Sequence, residues 1–191
     1  AAPIHWAILN GDRETGVTIM HMALALDAGD IIAQTAIPID PDETVEQLHD
    51  RLALLGAELL GKTVEQIEAG TAQRTPQEES QVTLAPMLSR SLSPMDWTRP
   101  ARVLHDQVRG LIPWPAAVTE LHGIRCKIFS TTVAEISTDK APGTVLTADK
   151  HGLTIACGGG TVLQINELQA DGGKRMKAVD YLRGHPIPID E

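Results

Sequence analysis

The stretch Gly16-Val-Thr-Ile-Met-His-Met-Ala-Leu-Ala-Leu-Asp-Ala-Gly-Asp-Ile-Ile-Ala-Gln34 decides how the first part of this 191-residue chain is interpreted. Both of its ends are rich in β-branched apolar residues, which predicts two short strands. Between them, Leu26-Asp27-Ala28-Gly29-Asp30 is a turn that contains two carboxylates and a glycine. Asp27 is then either an ordinary turn aspartate or a carboxylate that stays charged between buried strands because chemistry uses it.

Helical patterns lie on both sides of this strand pair. Pro3 and Gly11 are suited to the two ends of a short helix over 3–10. Thr44-Val45-Glu46-Gln47 has the form of a capping box, and the apolar spacing that follows predicts a helix to about Ala69. This order indicates the tail of an α/β layer of Rossmann-like type. Two strands alone are marginally stable, so we expect partner strands outside this chain.

The second part of the chain is dominated by strands. A helix over 100–110 precedes five predicted strands over 116–121, 125–133, 143–147, 153–156 and 161–168, and a short helix over 179–183 follows them. Five short strands in about 55 residues predict a small closed β-barrel of the OB type. The expected organisation is an α/β domain over 1–70, a linker over 71–93 and an OB-like, all-β domain over 94–191.

The composition is that of a globular protein with an aliphatic core: 42% of the residues are hydrophobic and only 3% are aromatic. No window approaches the roughly 18 apolar residues of a membrane span, and the start has no basic region of a secretory signal. Cys126 and Cys157 lie far apart, which favours reduced thiols in the cytoplasm. The histidines lack the spacing of metal ligands, so we expect no metal. The missing initiator methionine suggests a fragment or a processed chain.

Charge is distributed unevenly along the chain. Residues 1–92 carry 5 Lys and Arg against 14 Asp and Glu, whereas residues 93–191 carry 11 of each. The acidic first part argues against nucleic-acid binding there, but the neutral second part can still present a basic face. Arg125 and Lys127 alternate on a predicted strand and therefore point to one side. The segment Gly172-Gly173-Lys174-Arg175-Met176-Lys177 is either a solvated loop or a contact for a phosphate backbone.

Other motifs admit simple structural explanations. Gly158-Gly159-Gly160 lacks the strand–loop–helix context of a phosphate-binding loop and favours a turn between strands. Trp97 and Trp114 are candidates either for stacking on a base or for packing between domains. His5 and His21 are candidate bases, but isolated histidines on short elements are more often surface or packed residues.

Taken together, several segments resemble a known enzyme family. Three segments of the first part are similar to the second half of the folate-dependent formyltransferase domain: Ala1-Ala2-Pro3-Ile4, Glu14-Thr15-Gly16-Val17-Thr18-Ile19-Met20 and Leu26-Asp27-Ala28-Gly29-Asp30. Three segments of the second part resemble the C-terminal domain of the methionyl-tRNA formyltransferase family: Asp96-Trp97, Arg109-Gly110-Leu111-Ile112-Pro113-Trp114-Pro115 and Ala141-Pro142-Gly143-Thr144-Val145. The resemblance covers nearly the whole chain, in order.

This resemblance implies an activity and a catalytic residue. The family transfers a formyl group from 10-formyltetrahydrofolate to the α-amino group of methionyl initiator tRNA, using an Asn, a His and an Asp. The Asp of its Leu-Asp-x-Gly motif falls on Asp27. The Asn and His belong to an Asn-x-His-x-Ser-Leu-Leu-Pro motif that ends before Ala1, and neither His5 nor His21 replaces it. We therefore expect the chain to be inactive alone.

The resemblance also implies binding residues. The loop formed by Ala23, Leu24, Ala25 and Leu26 is expected to offer backbone groups to the pterin of the folate. The C-terminal domain is expected to hold the tRNA acceptor arm, with candidate phosphate contacts at Arg90, Arg125, Lys127, Lys174, Arg175 and Lys177. The full-length enzyme is expected to be a cytoplasmic monomer without a metal.

Two other functions remain open from the sequence. One is a formyltransferase that acts on a nucleotide-linked amino sugar, which shares the fold and the Asp motif. The other is a stand-alone RNA-binding module over residues 94–191. The Pro113-Trp114-Pro115 and Gly173-Lys174-Arg175-Met176 segments look more like the tRNA enzyme.

Overall fold

The structure is a computed structural model that describes residues 1–189. Thr44 caps the N-terminus of the longest helix among these residues. The Gln47 amide donates to the Thr44 hydroxyl, and the Thr44 amide donates to the Gln47 side chain, so the predicted capping box is confirmed. The helix runs over Val45–Glu68, and Gly70 follows it with a φ of 69°. A left-handed residue just past a helix end is the usual role of glycine there.

The described residues form two compact units, the first made of residues 1–7 and 12–86 and the second of residues 8–11 and 87–189. The first unit contains most of helix α1 (Pro3–Leu9), strands β1 (Glu14–Met20) and β2 (Ile31–Pro38), and helix α2 (Val45–Glu68). β1 and β2 form an antiparallel two-stranded sheet. Both predicted strands and both predicted helices of this part are confirmed.

The core of the first unit is small. Helix α2 packs against the strand pair, and its buried face carries Val45, Leu48 and Leu52. Many apolar side chains of this unit remain exposed, including Leu54, Leu60, Val64 and Ile67 on the same helix. A helix that is apolar on two faces usually packs against more than one neighbour. This surface agrees with the expectation that a two-stranded sheet needs further strands to be stable.

The second unit contains one antiparallel sheet and two helices. Its elements are helix α3 (Ala101–Leu111), strands β3 (Ala117–Leu121), β4 (Ile124–Ala134), β5 (Val145–Asp149), β6 (Gly152–Ala156), β7 (Val162–Ala170) and β8 (Met176–Lys177), and helix α4 (Ala178–Gly184). The strand order is β3-β4-β7-β6-β5, and β8 pairs with β7. The five predicted strands and the final helix are confirmed, whereas the two-residue β8 was not predicted.

The chain is therefore a mixed α/β protein, but the closed barrel is not confirmed. Within residues 1–189 no ladder joins the two outer strands, β3 and β5. Instead, the outer edge of β3 is occupied by the segment over 93–95, since the amide of Val118 donates to Ser93 and that of Met95 donates to Val118. Backbone groups of an edge strand that already have hydrogen-bond partners are not available to pair with another strand.

Part of the motif that begins at Arg109 has a structural role. The Arg109 side chain is 5% exposed, and its Nε donates to Asp106 Oδ1 at 2.7 Å. Asp106 also accepts from Arg102 at 3.2 Å. The neighbouring His105 is buried and bonds to the Thr131 hydroxyl at 3.0 Å. Buried charges need such partners, and the two ion pairs supply them within α3. The bond between His105 and Thr131 joins α3 to β4.

In the part of the chain that the structure describes, no helix has the length and apolar character that crossing a membrane requires. The same residues contain no group of three or more His, Cys, Asp or Glu that could hold a metal ion.

Both cysteines lie in the core of the second unit as free thiols. Burial raises the pKa of Cys157 to about 11 and also raises the pKa of Cys126. We predict that neither thiol reacts quickly with a disulfide reagent near pH 8 in the native protein, because the thiolate is the nucleophile. Both should react once guanidinium unfolds the chain, as thiol titration will measure.

The raised thiol pKa values also give the sign of a pH effect. Because the folded state favours the protonated thiols, they contribute to the free energy of unfolding. This contribution is complete below the pKa of an unfolded cysteine, about 8.5, and is lost as the pH rises through the pKa values of the folded protein. Fast labelling of a native thiol near pH 8 would contradict the burial of that side chain.

Candidate functional site

Asp27 lies on the loop that joins β1 to β2. The base of the loop is closed by the His21 amide, which donates to the Asp30 carbonyl at 2.9 Å. Gly29 packs against the same turn, and a Cβ at this position would lie 1.7 Å from the His21 carbonyl oxygen. Only glycine permits this close approach of two backbone segments. Asp27 has a φ of 54°, a left-handed conformation that Asp adopts more readily than most residues.

A segment from later in the first unit holds this loop. The Gln77 side-chain amide donates to the carbonyl of Asp27 at 2.8 Å and to that of Gly29 at 2.7 Å. Arg74 donates to the Asp30 carboxylate at 2.5 Å, and Thr75 pairs with Ile31 through two backbone hydrogen bonds. The segment therefore extends the edge of β2 and determines where the Asp27 backbone lies.

Sequence analysis did not identify Gln77 or Arg74. Both lie in the stretch over 71–93 that was interpreted as a linker because it is polar and contains prolines. No local pattern marks a polar residue that bonds to a loop about 50 positions earlier, as Gln77 does. The predicted boundaries at 70 and 94 stay a prediction, and residues 71–86 lie in the first unit.

The loop before Asp27 presents its side chains to solvent. Leu24 and Leu26 are 107% and 95% exposed, and Ala23 and Ala25 are also exposed. The Asp27 carboxylate is exposed and has no side-chain partner among residues 1–189. Exposed leucines beside a free carboxylate form a surface that can contact a flat apolar ring and accept a proton from a bound group.

The structure brings two of the predicted tRNA-binding arginines into one groove of the second unit. Arg90 and Arg125 line a groove of about 450 Å³ together with Trp97, Thr119 and Glu120. The Trp97 indole donates to the Thr119 hydroxyl at 3.1 Å and packs against the core of this unit. Trp97 is therefore a packed residue within the second unit, and its indole N–H is already used.

Arg125 and the other predicted cations except Arg90 lie near the end of the sheet where β7 turns into β8. Arg125 lies 3.7 Å from Asp171, and Arg175 pairs with Glu167 while its guanidinium covers the Phe129 ring at 4.7 Å. Within residues 1–189, four predicted contacts have no ionic partner: Arg90, Lys127, Lys174 and Lys177. Arg125 and Arg175 are thus partly neutralised by carboxylates, whereas the other four predicted contacts keep their positive charge unpaired.

The glycine-rich segment has a packing role. The Gly158 amide donates to the carbonyls of Trp97 and Arg99, both at 2.9 Å. A Cβ on Gly158 would lie 1.8 Å from the Thr98 carbonyl oxygen. The prediction that this segment is a turn between strands is confirmed, since it joins β6 to β7.

Comparison with known proteins assigns this architecture to a class. Residues 1–64 match the family model described as formyl transferase, and residues 88–186 match the model described as formyl transferase, C-terminal domain. The chain belongs to the formyl transferase family.

The relatives are more specific than the class. The chain is 42% identical over 189 residues to the methionyl-tRNA formyltransferase of Trichlorobacter lovleyi, an alignment that covers 99% of this chain and 59% of that protein. A protein of the same name from Lysinibacillus sphaericus is 46% identical over 183 residues, or 96% of this chain and 58% of that protein. The resemblance found in the sequence is confirmed. The chain spans about three fifths of the length of these relatives.

Solved structures share the fold at lower identity. HypX from Aquifex aeolicus in complex with tetrahydrofolic acid superposes with a TM-score of 0.71 at 21% identity, over 100% of this chain and 34% of that chain. The N-formyltransferase from Helicobacter canadensis in complex with folinic acid and dTDP-3-aminofucose has a TM-score of 0.68 at 19% identity, over 86% of this chain and 60% of that chain. These identities establish a common fold.

The close approach of the backbone to Gly29 predicts that adding a Cβ methyl group at this position destabilises the first unit. Gly29→Ala should lower the free energy of unfolding of the first unit by about 1–3 kcal/mol, because the His21 carbonyl must move. Gly61→Ala is the matched control: no atom lies within 4 Å of its Cβ position, and the change should stabilise helix α2 by up to about 1 kcal/mol. Urea unfolding of both variants tests this. Equal stability of the two proteins would contradict the described loop.

Proposed function

We propose that this chain is the C-terminal part of a methionyl-tRNA formyltransferase, which transfers a formyl group from 10-formyltetrahydrofolate to methionyl initiator tRNA. The observation that carries the proposal is the identity of 42% across 99% of the chain with a protein of that name. The same alignment covers only 59% of the relative, in agreement with a catalytic centre shared with a preceding segment.

Asp27 is proposed as the catalytic carboxylate. Attack of the neutral α-amine on the formyl carbon forms a C–N bond and an oxyanion, which by family resemblance the upstream Asn and His stabilise. The attacking nitrogen must lose a proton, and the leaving folate nitrogen must gain one. A carboxylate can orient the imidazolium and a water that relays these protons. Its exposed position, with the backbone held by Gln77, supports this role.

The loop before Asp27 fits a folate. Leu24 and Leu26 present apolar side chains, and the backbone over 23–26 belongs to no helix or strand of the described residues. Its N–H and C=O groups are suited to the donors and acceptors on a pterin edge. The folate supplies the electrophilic formyl group, and this loop would hold the ring beside Asp27.

The second unit is proposed as the tRNA-binding domain, an OB-like module over 94–191 joined to the catalytic domain over 1–70 by the segment 71–93. Four unpaired cations, Arg90, Lys127, Lys174 and Lys177, support contacts to phosphates. Arg125 and Arg175 would first have to exchange their carboxylate partners for phosphate. A cytoplasmic location, a monomeric state and independence from metal remain predictions for the intact protein.

Two other functions are less well supported. The structural neighbour crystallised with dTDP-3-aminofucose is 19% identical, against 42–46% for the named tRNA enzymes, which argues against an amino-sugar substrate. A stand-alone RNA-binding module does not explain why residues 1–64 match the formyl transferase family.

The role of Asp27 is tested by Asp27→Asn in the intact protein. Asn adopts the same left-handed conformation, so the loop should keep its structure. We expect formylation of charged initiator tRNA to slow by at least about 100-fold, the usual contribution of a positioned acid–base group, with little change in affinity for either substrate. Single-turnover kinetics will measure the rate.

Asp12→Asn serves as the control, because Asp12 is an exposed carboxylate of the same unit that lies outside the loop. Turnover of Asp27→Asn close to that of Asp12→Asn would exclude the proposed catalytic role. Formylation of sugar-nucleotide amines in preference to charged tRNA would overturn the proposed substrate.

The phosphate contacts predict a change in salt dependence. Affinity for tRNA falls as salt rises, and Lys127→Gln combined with Lys174→Gln should make this fall less steep. The magnitude of the slope of log affinity against log salt should decrease by about 0.7–0.9 for each contact that is lost. Lys62→Gln is the control, since Lys62 lies on helix α2 of the acidic first unit and pairs with Glu58 at 2.6 Å. Titration of tRNA over a salt series gives the slopes. An unchanged slope in the double variant would remove both lysines from the interface.

A further inference from the structure

A row of uncharged polar side chains crosses the outer face of the sheet in the second unit. Thr132 on β4 is paired with Gln164 on β7, Gln164 with Thr154 on β6, and Thr154 with Thr147 on β5. We call these four residues the polar row. Neighbouring strands lie about 4.8 Å apart, so the row extends over about 14 Å.

Hydrogen bonds hold the row in place. The hydroxyls of Thr147 and Thr154 share a hydrogen bond of 2.7 Å. Asn166 donates to the Thr132 hydroxyl at 2.9 Å and accepts from the Gln164 amide at 3.1 Å. Each hydroxyl can make more than one hydrogen bond, so the row keeps capacity for a ligand after these contacts are made. Its orientation is therefore set before any partner binds.

The row is polar but carries no charge. Thr132 and Thr147 are exposed and Thr154 and Gln164 half-buried, and none of the four is charged. Such a surface offers alternating donors and acceptors but no attraction for an ion. It suits a ligand that presents hydroxyl groups at regular intervals.

A cation lies beside the row. Lys177 lines the same shallow depression as Gln164 and Asn166, and so does Glu167, whose carboxylate is paired with Arg175. Lys127 lies farther along the outer face of β4, paired with Gln169, whose side chain bonds to the loop that carries Lys174. A ligand that crosses this face would therefore meet positive charge at one end and neutral hydroxyls and amides at the other.

We propose that the polar row contacts the 2′-hydroxyl groups of a double-helical RNA stem whose phosphates lie at Lys127, Lys174 and Lys177. The inference rests on the proposed function for the identity of the partner. Double-stranded RNA exposes its 2′-hydroxyls, which donate and accept hydrogen bonds, in a wide and shallow minor groove. The row gives a domain of zero net charge a means to distinguish RNA from DNA that does not depend on ion pairing.

The test compares an RNA hairpin with the DNA hairpin of the same sequence. The wild-type chain should bind the RNA more tightly. Thr132→Val with Thr154→Val should reduce this preference by up to about fivefold per hydroxyl, the effect of a hydrogen bond worth about 1 kcal/mol. Valine keeps the shape and strand preference of threonine, so the sheet should fold. Circular dichroism will verify the fold.

Thr18→Val is the matched control, because Thr18 also lies on a strand and accepts from an amide, Gln34, at 3.0 Å, but in the first unit. It should leave the RNA preference unchanged. Lys127→Gln should weaken RNA and DNA binding equally. A preference for RNA that survives in the folded double threonine variant would overturn the inference, as would equal binding of both hairpins by the wild type.

Formylation by the intact protein separates the two levels of the proposal. If the double threonine variant formylates charged tRNA with unchanged KM and keeps its RNA preference, the polar row has no role while the proposed function stands. If the intact wild-type protein neither binds nor formylates tRNA, the proposed function itself fails. A raised KM with unchanged kcat supports the row as a binding surface.

Discussion

The pairing of β7 on both sides is the constraint on which the second unit depends. β7 lies between β4 and β6, so its Leu163, Ile165 and Leu168 must all be buried in the core. Side chains alternate along a strand, and this packing therefore also places Gln164 on the outer face. The register between β4 and β7 shifts twice, with one extra residue at Phe129 in β4 and one at Asn166 in β7. The two shifts offset each other, so the buried faces of the strands stay in phase on both sides. The proposed RNA-contacting surface is thus a consequence of how the core is packed.

The first unit depends on a different kind of contact. Its catalytic candidate lies on a loop with no regular structure, and the backbone of that loop is held by Gly29 against His21 and by the Gln77 amide. The loop side chains themselves take little part in this support, because Leu24 and Leu26 point into solvent. Support through the backbone leaves the Asp27 carboxylate and the side chains of the loop exposed to solvent.

Family membership and local physics explain different residues. The motif that begins at Arg109 identifies the C-terminal domain, yet Arg109 is buried on Asp106 and serves the packing of α3. The Asp96-Trp97 motif likewise ends in an indole that bonds to Thr119 inside the unit. Such residues mark the fold. The residues proposed to contact a substrate are exposed or half-buried and carry no distinctive motif, such as Lys127, Lys174 and the threonines of the polar row.

The amino-acid sequence by itself determined the four α-helices, all strands but the two-residue β8, and the position of Asp27, because capping boxes, apolar periodicity and turn residues act over a few neighbouring positions. It did not predict the short 3-10 helices Glu79–Gln81 and Arg90–Leu92. It also determined the family, through motifs spread along the whole chain. Only the tertiary structure decided that β3 and β5 do not pair with each other, since the segment over 93–95 takes the edge of β3. The same holds for Gln77 on the Asp27 loop and for the polar row, because strand register and contacts about 50 residues apart leave no trace in local sequence.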